Sequence, residues 1–139
     1  MNKNIEAVCV INQNNITGTI LFTENLKEKK TDIHINLKGL TPGLHGFHIH
    51  EYGDLREGCS STCAHYNPYK KQHGGPNSKE RHVGDLGNVK ANKNGIVKMK
   101  MSDKLIKLRG KYNVIGRSIV IHEDEDDLGL GGHNDSLTT

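Results

Sequence analysis

The sequence predicts an all-β fold, a sandwich or barrel, and three observations predict it. Apolar and polar residues alternate with the strand period of two in several separate runs. No run sustains a helical period. Sixteen glycines supply turns with positive φ and would weaken helix interiors. The 139 residues allow one domain and one core, so 1–139 is read as a single domain with no repeat. With 33% hydrophobic residues, 4% aromatics and no Trp, that core is thin, rich in Val, Ile and Leu, and bordered by long polar loops.

In chain order, residues 5–11 and 16–22 are apolar runs joined by Asn12-Gln13-Asn14-Asn15, a hairpin connection by composition. The charge run 27–30 reads as a solvated turn. Ile33, Ile35 and Leu37 alternate with polar residues, the pattern of a half-buried strand. Leu40-Thr41-Pro42-Gly43 then turns the chain into a strand carrying His48 and His50. From 52 to 82 the pattern collapses into a loop of about thirty residues, a length that in a compact domain marks function or disorder. It carries Cys59, Cys63, His65, His73 and His82 and is read as functional. Strand pattern resumes over 86–91. After the turn Asn92-Lys93-Asn94-Gly95, Val97, Met99 and Met101 alternate with lysines, which places the methionines in the core. Residues 105–108 are a short apolar piece and 115–122 a last strand, with Val120 and His122 on one face. The remainder is an acidic, Gly-rich loop.

Charge and cysteine usage narrow the function classes. A formal charge of +3 spread over scattered basic residues argues against nucleic acid as a partner. No stretch approaches a transmembrane span, and no apolar leader follows Met1, so no membrane partner and a soluble, cytoplasmic protein are expected. Three cysteines leave at least one unpaired in a monomer. Cys9, between Val8 and Val10, reads as a buried thiol. Cys59 and Cys63 lack the C-x-x-C spacing of a redox or zinc-ribbon pair.

Nine histidines in 139 residues are many. His48 and His50 leave one face of a strand while Phe47 and Ile49 leave the other, so the two imidazoles can grip one metal ion. His65, His73, His82, Asp85 and His122 add donors. Imidazole suits zinc and copper, and carboxylate is an acceptable fourth zinc partner. Six histidines and one aspartate exceed the needs of one tetrahedral ion; two neighbouring ions sharing a ligand would use them all. The plainer alternative leaves several of them as surface polar residues.

The blocks Gly46-Phe47-His48-Ile49-His50-Glu51, His65-Tyr66-Asn67-Pro68, His73-Gly74-Gly75-Pro76, Arg81-His82-Val83-Gly84-Asp85 and Ser118-Ile119-Val120-Ile121-His122, with Asp126-Asp127-Leu128-Gly129 after them, resemble in order the copper/zinc superoxide dismutases. The resemblance implies a Greek-key β-barrel, an immunoglobulin-like sandwich in architecture, with two long functional loops. It implies an antioxidant enzyme that converts two superoxide anions and two protons into dioxygen and hydrogen peroxide by Cu(II)/Cu(I) cycling. One copper and one zinc ion per subunit are implied, with His48, His50, His65 and His122 as catalytic copper ligands. His65, His73, His82 and Asp85 are the implied zinc ligands, with His65 a shared imidazolate that is protonated when freed from copper and then supplies a proton. Asp126 is implied as the carboxylate tying His48 to His73. A homodimer and delivery of copper by a chaperone follow from the same resemblance.

The family pattern continues past the position of Thr139 through an anion-docking arginine, a cysteine that is the usual partner of Cys59, and one last strand. On this reading that last strand is missing. Cys59 is then left to stay reduced, pair with Cys63 or cross-link another chain. Those departures support a second reading, a dismutase-fold copper/zinc-binding protein serving as a metal buffer or chaperone-like domain with little activity. The complete ligand set opposes it.

Overall fold

In the computed structural model, which describes residues 4–131, seven strands form where the alternation runs. They are β1 (Ile5–Gln13), β2 (Ile16–Asn25), β3 (Lys30–Lys38), β4 (Gly43–His50), β5 (Asp85–Ala91), β6 (Val97–Asp103) and β7 (Ser118–Ile121). They make two antiparallel sheets, in the orders β1-β2-β3-β6 and β5-β4-β7. β3 and β6 are neighbours although two strands lie between them in sequence, the long return of a Greek key. The all-β class and the Greek-key connection hold, but the sheets are not closed into one hydrogen-bonded barrel: β1 and β6 end the first sheet.

The chain divides into two compact units. One comprises the chain up to Gly43 with Val89–Ile115; the other comprises Leu44–Asn88 with the chain from Gly116. In the first, β1 and β2 are joined by Asn14-Asn15, shorter than the four residues composition suggested. Both asparagines have positive φ (55° and 66°), as a two-residue turn matched to strand twist requires. Alternate residues Ile20 and Phe22, Ile33, Ile35 and Leu37, and Val97 are buried on one sheet face. Met99 and Met101 keep that period but are only half-buried. Cys9 is half-buried rather than buried, because β1 ends the sheet; the adjacent Val8 and Val10 are exposed. The segment after β6 is pinned by buried polar groups. Thr31 Oγ1 donates to the Ile106 carbonyl (2.6 Å), and Glu24 Oε1 accepts the Leu108 N–H (2.7 Å). Asp103 Oδ2 accepts the Leu105 and Ile106 N–H groups at 2.9 Å each.

In the second unit, β4 lies between β5 and β7, with Phe47 opposite Ile121, His48 opposite Val120 and His50 opposite Ser118. The expected strand 115–122 forms only over Ser118–Ile121, because Gly116 (φ 80°) turns the chain out of extended geometry. The long loop is not featureless: Gly58–Thr62 makes a turn of 3₁₀ helix. One backbone triangle ties this loop to β4. Tyr66 N–H donates to the Ile49 carbonyl (2.8 Å), Ile49 N–H to the Gly84 carbonyl (2.9 Å), and Gly84 N–H to the Tyr66 carbonyl (3.0 Å). The approach is so close that a Cβ on Gly84 would lie 2.1 Å from the Ile49 oxygen. Gly84→Ala should therefore destabilise the metal-free chain by about 2 kcal/mol or more, the scale of overpacking, read as a lower denaturant midpoint. An unchanged midpoint would show that the triangle yields.

Candidate metal centre

His48 and His50 project from the β4 face opposite Phe47 and Ile49, and all four are buried. The pairing of β4 with β7 runs on past the last strand residue. His122 N–H donates to the Gly46 carbonyl and Gly46 N–H to the Asp124 carbonyl, both at 2.8 Å, which places His122 beside β4. Gly46 makes room for the rings; a Cβ there would come within 3.2 Å of His48 Cε1 and 3.4 Å of His122 Cδ2. His65 joins the group through an isolated bridge to His50. One ligand nitrogen from each of His48, His50, His65 and His122 lies within 4.8 Å of the other three. The His48 and His65 ring centroids are 4.1 Å apart.

A second focus forms at the Asp85 carboxylate, buried at the start of β5. Its Oδ1 lies 2.9 Å from His65 Nδ1, 3.0 Å from His73 Nδ1 and 3.1 Å from His82 Nδ1. The His73 contact is close but off the line of a hydrogen bond. Oδ2 is held by the amides of Gly74 (2.9 Å) and His82 (2.8 Å), so the carboxylate cannot rotate away. Asp126 is buried although Glu123, Asp124 and Glu125 around it are exposed. Its Oδ2 accepts from His48 Nε2 (2.8 Å) and its Oδ1 from His73 Nε2 (2.6 Å). The structure therefore brings together every predicted site histidine, Asp85 and Asp126.

Tautomers follow from the acceptors. A carbonyl can only accept, so His50 Nδ1 carries the proton it gives to the Cys63 carbonyl (2.8 Å), and its Nε2 keeps a lone pair. His48 donates from Nε2 to Asp126, leaving Nδ1; His65 donates from Nδ1 to Asp85, leaving Nε2. His48 Nδ1 and the Nε2 atoms of His50, His65 and His122 are buried and have no hydrogen-bond partner in the protein. Three buried lone pairs and the partnerless His122 nitrogen converging in one place fit a cation and little else, because an unpartnered buried polar atom is otherwise costly.

Electrostatics agree with that fit. Burial pulls His65 and His122 down to about 4 and lowers His50, so these rings are neutral at pH 7, as ligation requires. At His73 burial also pulls down, but the hydrogen bond to Asp126 and the negative Asp85 carboxylate beside it outweigh it and raise the ring to about 9. Burial pushes both carboxylates up, yet their imidazole and amide donors win and hold them well below the usual carboxylate range.

Sequence reasoning missed several supports. His45 is buried and donates from Nδ1 to the His122 carbonyl (2.8 Å). Asn88 clamps the Asp126 backbone from both sides, accepting its N–H (2.7 Å) and donating to its carbonyl (2.9 Å). Arg117 lies over the Tyr66 ring, 3.7 Å from its centroid, and donates to the Glu51 carbonyl. Only a polar residue beside a ligand block hints at these roles. The cysteines behave differently from the pairing considered: Cys59 and Cys63 are exposed and free. Cys63 serves through its backbone, and Thr62 Oγ1, 3.2 Å from the same His50 nitrogen, donates to the Cys59 carbonyl (2.6 Å).

Comparisons with known proteins agree with this geometry. The family described as "Copper/zinc superoxide dismutase (SODC)" matches residues 16–139. The chain is 53% identical over 138 residues to "Superoxide dismutase [Cu-Zn]" of Paramecium bursaria Chlorella virus 1, covering 99% of this chain and 72% of that relative. It is 52% identical over 124 residues to "Extracellular superoxide dismutase [Cu-Zn]" of Drosophila melanogaster, covering 89% and 68%. Among solved structures, the "clock protein EA4" superposes with a TM-score of 0.92 at 44% identity, covering 96% of this chain and 85% of that one.

Cys63 holds its carbonyl toward His50 from φ 66°, ψ −152°, a region that only glycine enters freely. Cys63→Gly should stabilise the chain by about 1 kcal/mol, the strain relieved less the extra flexibility of the unfolded glycine. Denaturant unfolding measures it, and a destabilised variant would show that the thiol side chain contributes packing.

Proposed function

We propose a two-metal centre for this chain, which belongs to the copper/zinc superoxide dismutase family. Its activity is dismutation, in which two superoxide anions and two protons give dioxygen and hydrogen peroxide, and its metals are copper and zinc. The proposal concerns which residues hold them. Copper is assigned to His48, His50, His65 and His122, and zinc to His65, His73, His82 and Asp85. The observation that carries it is the His65 ring, a member of the four-histidine group, whose Nε2 is partnerless while Nδ1 meets Asp85 and His82.

Bound copper supplies one-electron redox chemistry, and zinc supplies charge without redox. The chain's own residues do the rest. His65 would be the ligand whose ring could lose its remaining proton on metal binding and hold one at Nε2 when that nitrogen is free. Asp126 keeps the His48 and His73 rings aimed, and the Cys63 carbonyl does the same for His50. Of the four copper-side histidines His122 alone is half-buried, so superoxide is taken to approach past its ring. Homodimerisation and receipt of copper from a chaperone are further parts of the proposal; exposed Val8, Val10 and Ile115 support the first as apolar surface.

Stopped-flow superoxide decay with the chain loaded with both metals tests the reading. Rates no better than those of the copper-free chain would leave a metal-binding protein instead. Asp126→Asn should weaken zinc binding about 10- to 100-fold by freeing the His73 ring. Zinc uptake at pH 7 should also release about one proton from His73, whose raised pKa keeps it charged until pH passes about 9. That proton release fades above pH 9, and calorimetry in buffers of different ionisation enthalpy measures it. Uptake without proton release at pH 7 would remove His73 from the site.

A further inference from the structure

The first unit holds a cavity of about 320 Å³ that dismutation does not use. Glu24, Leu26, Lys29, Lys107, Arg109 and Gly110 line it. One wall is the turn between β2 and β3. Asn25 Oδ1 accepts the Lys27 and Glu28 N–H groups (3.1 and 3.0 Å), and Lys29 sits in the left-handed region at φ 55°. The other wall follows β6, where Thr31, Asp103 and Glu24 pin the backbone of residues 105–108. Both walls are thus fixed by hydrogen bonds, and each presents cations to the same space.

The charge balance selects the ligand. Lys29, Lys107 and Arg109 face one carboxylate, Glu24, which is buried. Glu24 Oε1 is taken by the Leu108 N–H, and Oε2 lies 4.0 Å from Arg109 Nε, so this acid is already answered within the protein. Among the described residues neither Lys29 nor Lys107 is in an ion pair, although the same turn pairs Lys30 with Glu28. A guanidinium offers a fork to phosphate oxygens and a lysine a point charge, and a space of this size suits a small molecule more than a single ion. Scattered in the sequence, these cations gave no sign of a partner; the fold gathers them.

We propose that this cavity binds a small polyanion carrying two or more linked phosphate groups, contacted from both walls at once. The phosphate chain could belong to an inorganic polyphosphate or to a nucleoside triphosphate, and two arms of one experiment separate these. The copper- and zinc-loaded chain is titrated calorimetrically with tripolyphosphate and, separately, with ATP, its metal content checked before and after. Saturable one-site binding is expected. Lys29→Glu and Lys107→Glu should each weaken it roughly tenfold or more, as loss of a charge-assisted contact does. Lys98→Glu makes the same charge change at an exposed β6 position outside the cavity and should weaken it less than about twofold. Amide shift changes confined to residues 26–29 and 107–110 would locate the ligand in the variant-sensitive cavity. ATP binding more tightly than tripolyphosphate assigns a nucleoside source, and equal affinity assigns the phosphate chain alone. Equal weakening by Lys98→Glu, or no saturable binding by a chain whose unfolding midpoint is normal, overturns the proposal.

Discussion

Two buried carboxylates, Asp85 and Asp126, are the constraint on which the rest of the second unit depends. A buried carboxylate is costly unless it is met by donors, and each of these is met by imidazole N–H groups and backbone amides. Every proton that an imidazole commits to a carboxylate, or to the Cys63 carbonyl, aims its other nitrogen away from that acceptor. The outcome is a group of lone pairs facing one another, which repel unless a cation lies among them. Holding carboxylates and histidines in these places therefore specifies metal binding before any metal arrives.

The scaffold must hold this arrangement to within a fraction of an ångström, and it does so with backbone rather than with bulk. Phe47 and Ile49 anchor β4 from behind, so the His48 and His50 side of the strand is rigid. The loop that supplies His65 and His82 is laced to that strand through Gly84, Ile49 and Tyr66, at separations no side chain at position 84 would permit. Gly46 works the same way between rings. Glycine here is a means of close approach, and its conformational entropy cost is offset by the hydrogen bonds that the approach allows.

The first unit rests on a different balance. Its alternating strands bury one apolar face, and its buried polar residues Glu24, Thr31 and Asp103 serve the irregular segment after β6 rather than chemistry. Ordering that segment by side chains leaves its lysines and arginine projecting from a backbone held in place.

Much of this was legible in the chain itself. Period-two alternation marked the strands, because a half-buried sheet admits no other pattern, and the His48/His50 spacing put two imidazoles on one face. The resemblance in ordered blocks named the metals and implied a ligand set; its copper four offer ligand atoms within 4.8 Å of one another, and each of its zinc histidines reaches Asp85. Boundaries were less legible: Gly116 cut the last strand short, and the turn at Asn14-Asn15 proved tighter than composition suggested, since both depend on φ values that residue type only biases. What tertiary structure alone decided was the company each group keeps. Pattern alone does not tell Asp126 from its exposed acidic neighbours; the resemblance singled it out, and the fold adds the Asn88 clamp on its backbone that holds its oxygens against two imidazoles. Cys63 reads as a thiol, yet its carbonyl is the part that works. His45, Asn88 and the three cations around Glu24 carry no periodic signal, because hydrogen bonding and field depend on distances across the fold, and distances between remote residues are not written in the order of the chain.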